Sequence, residues 1–93
     1  MTKSIMQTDK QCYLCGRETC LERHHVLAGT ANRKLSEKYG LWVWLCHDDH
    51  VGVEGAQYDK QKNWNLKRDA QIAFENVYDH DLWFKTFKRN YVY

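Results

Sequence analysis

The sequence contains no proline and only five glycines in 93 residues. Without proline it has no rigid polyproline spacer. No internal repeat or low-complexity run marks a linker or a repeat array. No stretch approaches the roughly 20 apolar residues that a membrane-spanning helix needs. The opening "MTKSIMQTDK" lacks the apolar run of a signal peptide. A soluble protein of the reducing cytoplasm, with no membrane partner, is the resulting expectation. Charge of one sign is also scarce: the net charge is +2, which selects no class of partner.

Four cysteines are present, Cys12, Cys15, Cys20 and Cys46. In a reducing compartment such clusters serve more often as metal ligands than as disulfides. A chain of this length buries only roughly 60–65% of its unfolded surface, so a staple is expected. The length fits one domain. Residues 1–10 are polar and read as a flexible N-terminus, with a single domain over 11–93.

"CYLCG" at 12–16 reads as a knuckle, with a glycine able to take positive φ just after the second cysteine. "LERHHV" at 21–26 can form a short strand. "LAGTANRKLSEKYG" at 27–40 carries turn residues, with one helical turn around Leu35 to Tyr39. "LWVWLC" at 41–46 is the strongest strand: Leu41, Val43 and Leu45 fall on one face, Trp42 and Trp44 on the other. Asp48 and Asp49 follow directly and favour a helix start. Leu66, Ala70, Ala73, Phe74, Val77 and Tyr78 repeat at helical spacing over 66–78. A shorter amphipathic stretch, "DLWFKTF", follows at 81–87.

Cys12 and Cys15 can present two thiolates to one tetrahedral ion, and the "CHDDH" of residues 46–50 can close the coordination. Zinc is the ion this pattern favours. Cys12, Cys15 and Cys46 are three of its ligands; Asp49, His50 and Cys20 compete for the fourth place. The basic clusters "NRK" at 32–34 and "FKTFKRNY" at 84–91 make Arg33, Lys34, Lys85, Lys88 and Arg89 candidates for phosphate contact, against the ordinary alternative of a solvated surface. The four tryptophans of so small a domain are expected mostly in the core; Trp83 and Tyr91, beside the second cluster, are nonetheless candidates for stacking on unpaired bases.

The order of these motifs resembles the HNH endonuclease family: a C-x-x-C knuckle, "HH" on a strand, a loop, a strand ending in Leu-Cys, and a His at a helix start. "RHHVLAGTANRKLSEKYGLWVWLCHDDH" is similar in particular to small phage-type HNH proteins, including those grouped as RecA-dependent recombination-enhancement nucleases. The match spans roughly residues 12–57, with looser similarity in a helical tail at about 64–90. It implies an α+β fold, a zinc-braced ββα-metal (His-Me) finger with a helical C-terminal tail. It also implies a metal-dependent DNA endonuclease of phage or prophage origin, with Mg²⁺ or Mn²⁺ as catalytic ion. A recombinase filament, or another phage or host protein, becomes a candidate partner.

By the same resemblance His24 ligates the catalytic metal and His25 is the general base; alternation along the strand turns these neighbours to opposite faces. His50 becomes the second ligand of that metal, which moves the structural zinc toward Asp49. The chain departs from the family pattern in three places. No Asn precedes the Leu-Cys, leaving Asn32 and Glu37 as candidates to orient His25. Asp49 stands where relatives often carry Cys or His, and Gln57 stands near the place of a further His. A zinc finger that binds nucleic acid without cutting it, or a protein-interaction module, would fit such departures.

Overall fold

The computed structural model describes residues 3–27, 29–51 and 59–92; Gln57 lies outside them. The fold is α+β. Two antiparallel strands, β1 (Leu21–His25) and β2 (Trp42–Cys46), form a small sheet. Around it stand α1 (Thr30–Tyr39), α2 (His47–Val51), α3 (Lys60–Val77) and α4 (His80–Phe87). Among the described residues no helix is long and apolar enough to cross a membrane.

The register follows the alternation of the sequence. His24 sits opposite Val43 and Glu22 opposite Leu45, while His25 sits opposite Trp42 and Arg23 opposite Trp44. The first face turns inward, where Val43, Leu45 and the neighbouring Leu41 are fully buried. On the second face the Arg23 guanidinium lies 3.8 Å from the Trp42 ring centroid and 5.7 Å from that of Trp44, a cation held over aromatic faces.

The 27–40 segment differs from expectation. In place of a single turn it carries the ten-residue helix α1. Its only large apolar residues, Leu35 and Tyr39, are four apart, and its one buried residue is Ser36, so hydrophobic periodicity has almost nothing to register. Ala, Arg, Lys, Leu and Glu nonetheless favour the helical state. Gly40 ends the helix in the left-handed region (φ 73°), and a Cβ there would collide with the Lys3 carbonyl. Gly40→Ala is therefore expected to cost at least about 1–2 kcal/mol. The melting temperature should fall by roughly 4–16 °C; an unchanged melting curve would remove Gly40 from the determinants of the turn.

The N-terminal segment also differs from expectation, because it is tied down from Lys3 onward. The backbone groups of Trp42 and Trp44 that face away from β1 find partners there. Ser4 Oγ donates to the Trp42 carbonyl (2.5 Å), Gln7 Oε1 accepts from the Trp44 amide (3.0 Å), and the Tyr13 amide donates to the Trp44 carbonyl (2.8 Å). Ile5 and Met6 pack against the core.

Both C-terminal helices start on aspartate caps: Asp59 accepts from the Gln61 and Lys62 amides, and Asp79 from that of Leu82. Such caps satisfy amides that have no helical partner. α3 begins six residues before the expected Leu66, since "KQKNWN" is mostly polar and adds no apolar stripe. Its inner positions Leu66, Ala70 and Phe74 share one core with β2, Trp83 and Phe87. The finger and the tail are thus one body. The buried Gln71 secures the last segment, accepting from the Tyr91 amide (2.7 Å) and donating to Asn90 (3.2 Å). Tyr13 ties the knuckle to α3 through Asp69 (3.0 Å).

Candidate metal centre and active-site cleft

The knuckle is built by two backbone hydrogen bonds, from Gly16 to Cys12 (2.8 Å) and from Cys12 to Arg17 (2.7 Å), with Gly16 at φ 81°. This turn aims Cys12 and Cys15 at the end of β2. There Cys46 and Asp49 lie three residues apart, the spacing that puts two side chains on one side of a helical turn. One ligand atom from each of the four residues falls within 4.8 Å of all the others. The Sγ atoms of Cys15 and Cys46 are 3.7 Å apart, close to the ~3.8 Å edge of a tetrahedron with zinc–sulfur bonds of about 2.3 Å.

Asp49 Oδ2 accepts from the thiols of Cys12 (3.1 Å) and Cys46 (3.3 Å). The Arg17 amide favours the Cys15 thiolate, but Asp49 and the neighbouring thiols outweigh it and push that thiol up to about 12. The thiols of Cys15, Cys12 and Cys46 in turn hold the Asp49 carboxyl below its usual range. Protons here occupy the place of a cation, and three thiols with one carboxylate could hold a metal ion such as zinc. Of the candidates for the fourth position, Asp49 joins the cluster. Cys20 is exposed at φ 55°, and His50 turns elsewhere.

His50 faces the inner side of β1. Its Nδ1 donates to Glu22 Oε1 (2.9 Å), while His47 Nδ1 donates to Glu22 Oε2 (3.1 Å). These two imidazoles hold the Glu22 carboxyl below its ordinary range. In the neutral tautomer that donates from Nδ1, the lone pair of His50 lies on Nε2. The His50 ring stands edge-on to His24, with centroids 5.0 Å apart. His24 Nε2 is buried and has no hydrogen-bond partner among the described residues. Burial, followed by the charges of His50, His25 and Lys67, pushes the His24 imidazole down to about 4, so it is neutral at physiological pH. A polar atom left unpartnered in this way costs about 1–3 kcal/mol, and a cation at this position would satisfy it.

His25 takes the opposite face. Its Nε2 bonds Glu37 Oε2 on α1 (2.7 Å), and the Arg23 guanidinium holds Glu37 Oε1 (2.6 Å). The His25 hydrogen bond and then the Arg23 contacts keep the Glu37 carboxyl low despite partial desolvation. Of the two candidates to orient His25, Glu37 is in contact with it; Asn32, nearer to it in sequence, has no hydrogen bond to it among the described residues. Although they point to opposite faces, His24 and His25 both border a cleft of about 610 Å³, with His50, Arg33 and Lys34 on its walls.

Arg33 and Lys34 are exposed on α1, within this cleft. Lys85 and Lys88 are exposed on and just after α4, and neither borders it. Trp83 is not available for stacking: it is fully buried, and its indole Nε1 donates to the Arg89 carbonyl (2.6 Å). A tryptophan at the centre of an amphipathic helix with Phe87 behind it is core by its spacing. Tyr91 is also mostly buried, packed at 4.9 Å against Trp64. Sequence reasoning missed Glu22 as the partner of His50. The available signal was period two: Glu22 and His24 necessarily share the inner face of β1. Comparison of the chain with protein-family models, with curated proteins and with solved structures gave no match.

Proposed function

We propose that this chain is a metal-dependent endonuclease of the HNH type, built on a ββα-metal finger and hydrolysing phosphodiester bonds in DNA. One observation carries the reading most: the orphaned, neutral His24 imidazole stands 5.0 Å from His50. This pair opens into the same cleft as His25. Two imidazoles with lone pairs to offer, one of them oriented by a carboxylate, form the kind of ligand set that divalent metals accept. His24 and His50 would hold Mg²⁺ or Mn²⁺, and Cys12, Cys15, Cys46 and Asp49 would hold a structural Zn²⁺.

Bound at His24 and His50, the divalent ion supplies charge stabilisation to the transition state and to the departing 3′ oxygen. The remaining work belongs to side chains of this chain. Glu37 accepts the Nε2 proton of His25 and fixes the ring, so the lone pair lies on Nδ1. That nitrogen takes the proton from the attacking water. Arg23 holds the second Glu37 oxygen and limits rotation of the carboxylate. Arg33 and Lys34 contact the DNA backbone beside the scissile phosphate. The family resemblance adds a phage or prophage setting in the cytoplasm and a recombinase filament, or another phage or host protein, as partner.

Incubation of the zinc-loaded protein with supercoiled plasmid and Mg²⁺ or Mn²⁺ is expected to yield nicked circles. Folded protein that leaves both the plasmid and a gapped duplex intact with both ions would sink the proposal. Salt-dependent DNA binding without nicking would then identify a nucleic-acid-binding finger, and absence of both behaviours a protein-interaction module.

A further inference from the structure

A second groove, of about 400 Å³, runs between α3 and the segment after α4. Its volume lies in the ~300–1,000 Å³ range of ligand sites. Asn63 lines both this groove and the cleft of His24, His25 and His50, so the two lie side by side. Trp64 forms its wall and is 44% exposed, which leaves part of the indole open to a ligand. Tyr91 braces the indole from the side, at 4.9 Å and an interplanar angle of 72°, and so does not stack parallel to it.

Lys60, Lys67 and Arg89 line the same groove. Among the described residues none of the three is in an ion pair. Lys67 and Arg89 are near enough for one charge to bear on the other. Asp59 is the acid of the groove, and its Oδ1 is committed to the Gln61 and Lys62 amides at the start of α3. An exposed indole among uncompensated cations is the combination that binds a base by its face and its phosphates by charge. A base inside a duplex has both faces covered by its neighbours, so such a platform suits an unpaired one.

We propose that the Trp64 groove binds an unpaired nucleotide of a DNA strand that continues into the His24–His25–His50 cleft. The identity of the ligand as DNA rests on the nuclease reading; the stacking site itself rests on Trp64 and the three cations. The substrate class that follows is a duplex with a single-stranded segment next to the cutting site.

The test is equilibrium binding of the zinc-loaded protein, without Mg²⁺ or Mn²⁺, to a labelled oligothymidylate and to a duplex of equal length. Trp64→Ala is expected to weaken single-strand binding roughly 5- to 150-fold, with duplex binding changed less than about twofold. Trp64→Phe should retain most of the affinity. Lys60→Gln with Arg89→Gln should reduce the single-strand salt slope by about 0.7 per lost contact, and this pair decides the matter if Trp64→Ala does not fold. Equal losses on both ligands, or no loss on the single strand, would overturn the proposal. Single-strand binding that depends on Trp64 in a protein that cuts neither plasmid nor a gapped duplex would sink the nuclease reading alone. Nicking in a protein whose strand binding ignores Trp64 would sink this groove alone.

Discussion

Removing the ion from the Cys12–Cys15–Cys46–Asp49 cluster is expected to unfold the protein. Structural zinc contributes on the order of 10–16 kcal/mol in small domains, while a whole domain is typically stable by about 5–15 kcal/mol. The cluster joins the knuckle to the β2–α2 corner, and two of its cysteines are themselves buried in the core. Without the ion, that corner must bury thiols whose only compensation is the Asp49 carboxylate. A strong chelator should therefore abolish the cooperative thermal transition followed by circular dichroism, and Cys12→Ser or Cys46→Ser should give disordered or insoluble protein. Wild-type protein that purifies without zinc, or a mutant that melts like the wild type, would refute the requirement.

His24 and His25 are adjacent in sequence, yet their loss should produce different defects. His25→Ala removes the proposed proton acceptor and leaves the His24–His50 pair in place. Turnover in plasmid nicking should fall by roughly 10²–10⁴, the usual contribution of acid–base catalysis, and excess Mn²⁺ should not restore it. His24→Ala removes one of two imidazoles from the ion and should raise the metal concentration needed for half-maximal rate, with excess Mn²⁺ recovering part of the activity. Neither substitution touches the cysteine cluster, so zinc content should stay unchanged in both. Rescue of His25→Ala by metal, and not of His24→Ala, would reverse the roles. Wild-type rates in both would make the double histidine structural.

β2 was legible in advance because its residues are aromatic or branched, while β1 could only pass for a short strand. Leu41, Val43 and Leu45 can only face inward together, and the same period of two separates His24 from His25. The three cysteines of the cluster were legible because Cys12–Cys15 is a local spacing and Cys46 needs only one long-range contact to meet it; the spacing left Asp49, His50 and Cys20 open for the fourth place, and the family resemblance favoured Asp49. Three features had no comparable signal. α1 buries almost no apolar surface, so its ten residues looked like a loop. The pinning of the N-terminal segment depends on single side chains, Ser4 and Gln7, whose partners are backbone atoms nearly forty residues away. The Trp64 groove is assembled from the first two turns of α3 and the segment after α4, which are distant in the chain. Trp83 was misread because its basic neighbours are exposed while the indole itself points inward.

The contacts made by Ser4, Gln7 and Tyr13 along β2 have a consequence for how this molecule can associate. A short strand rich in tryptophan and valine, with unpaired amides and carbonyls on its outer side, would be a template for another chain's strand and for aggregation. Here the Trp42 carbonyl and both the amide and the carbonyl of Trp44 are already taken. Backbone-to-backbone recruitment along β2 is therefore closed, and any partner approaching on that side must read side chains.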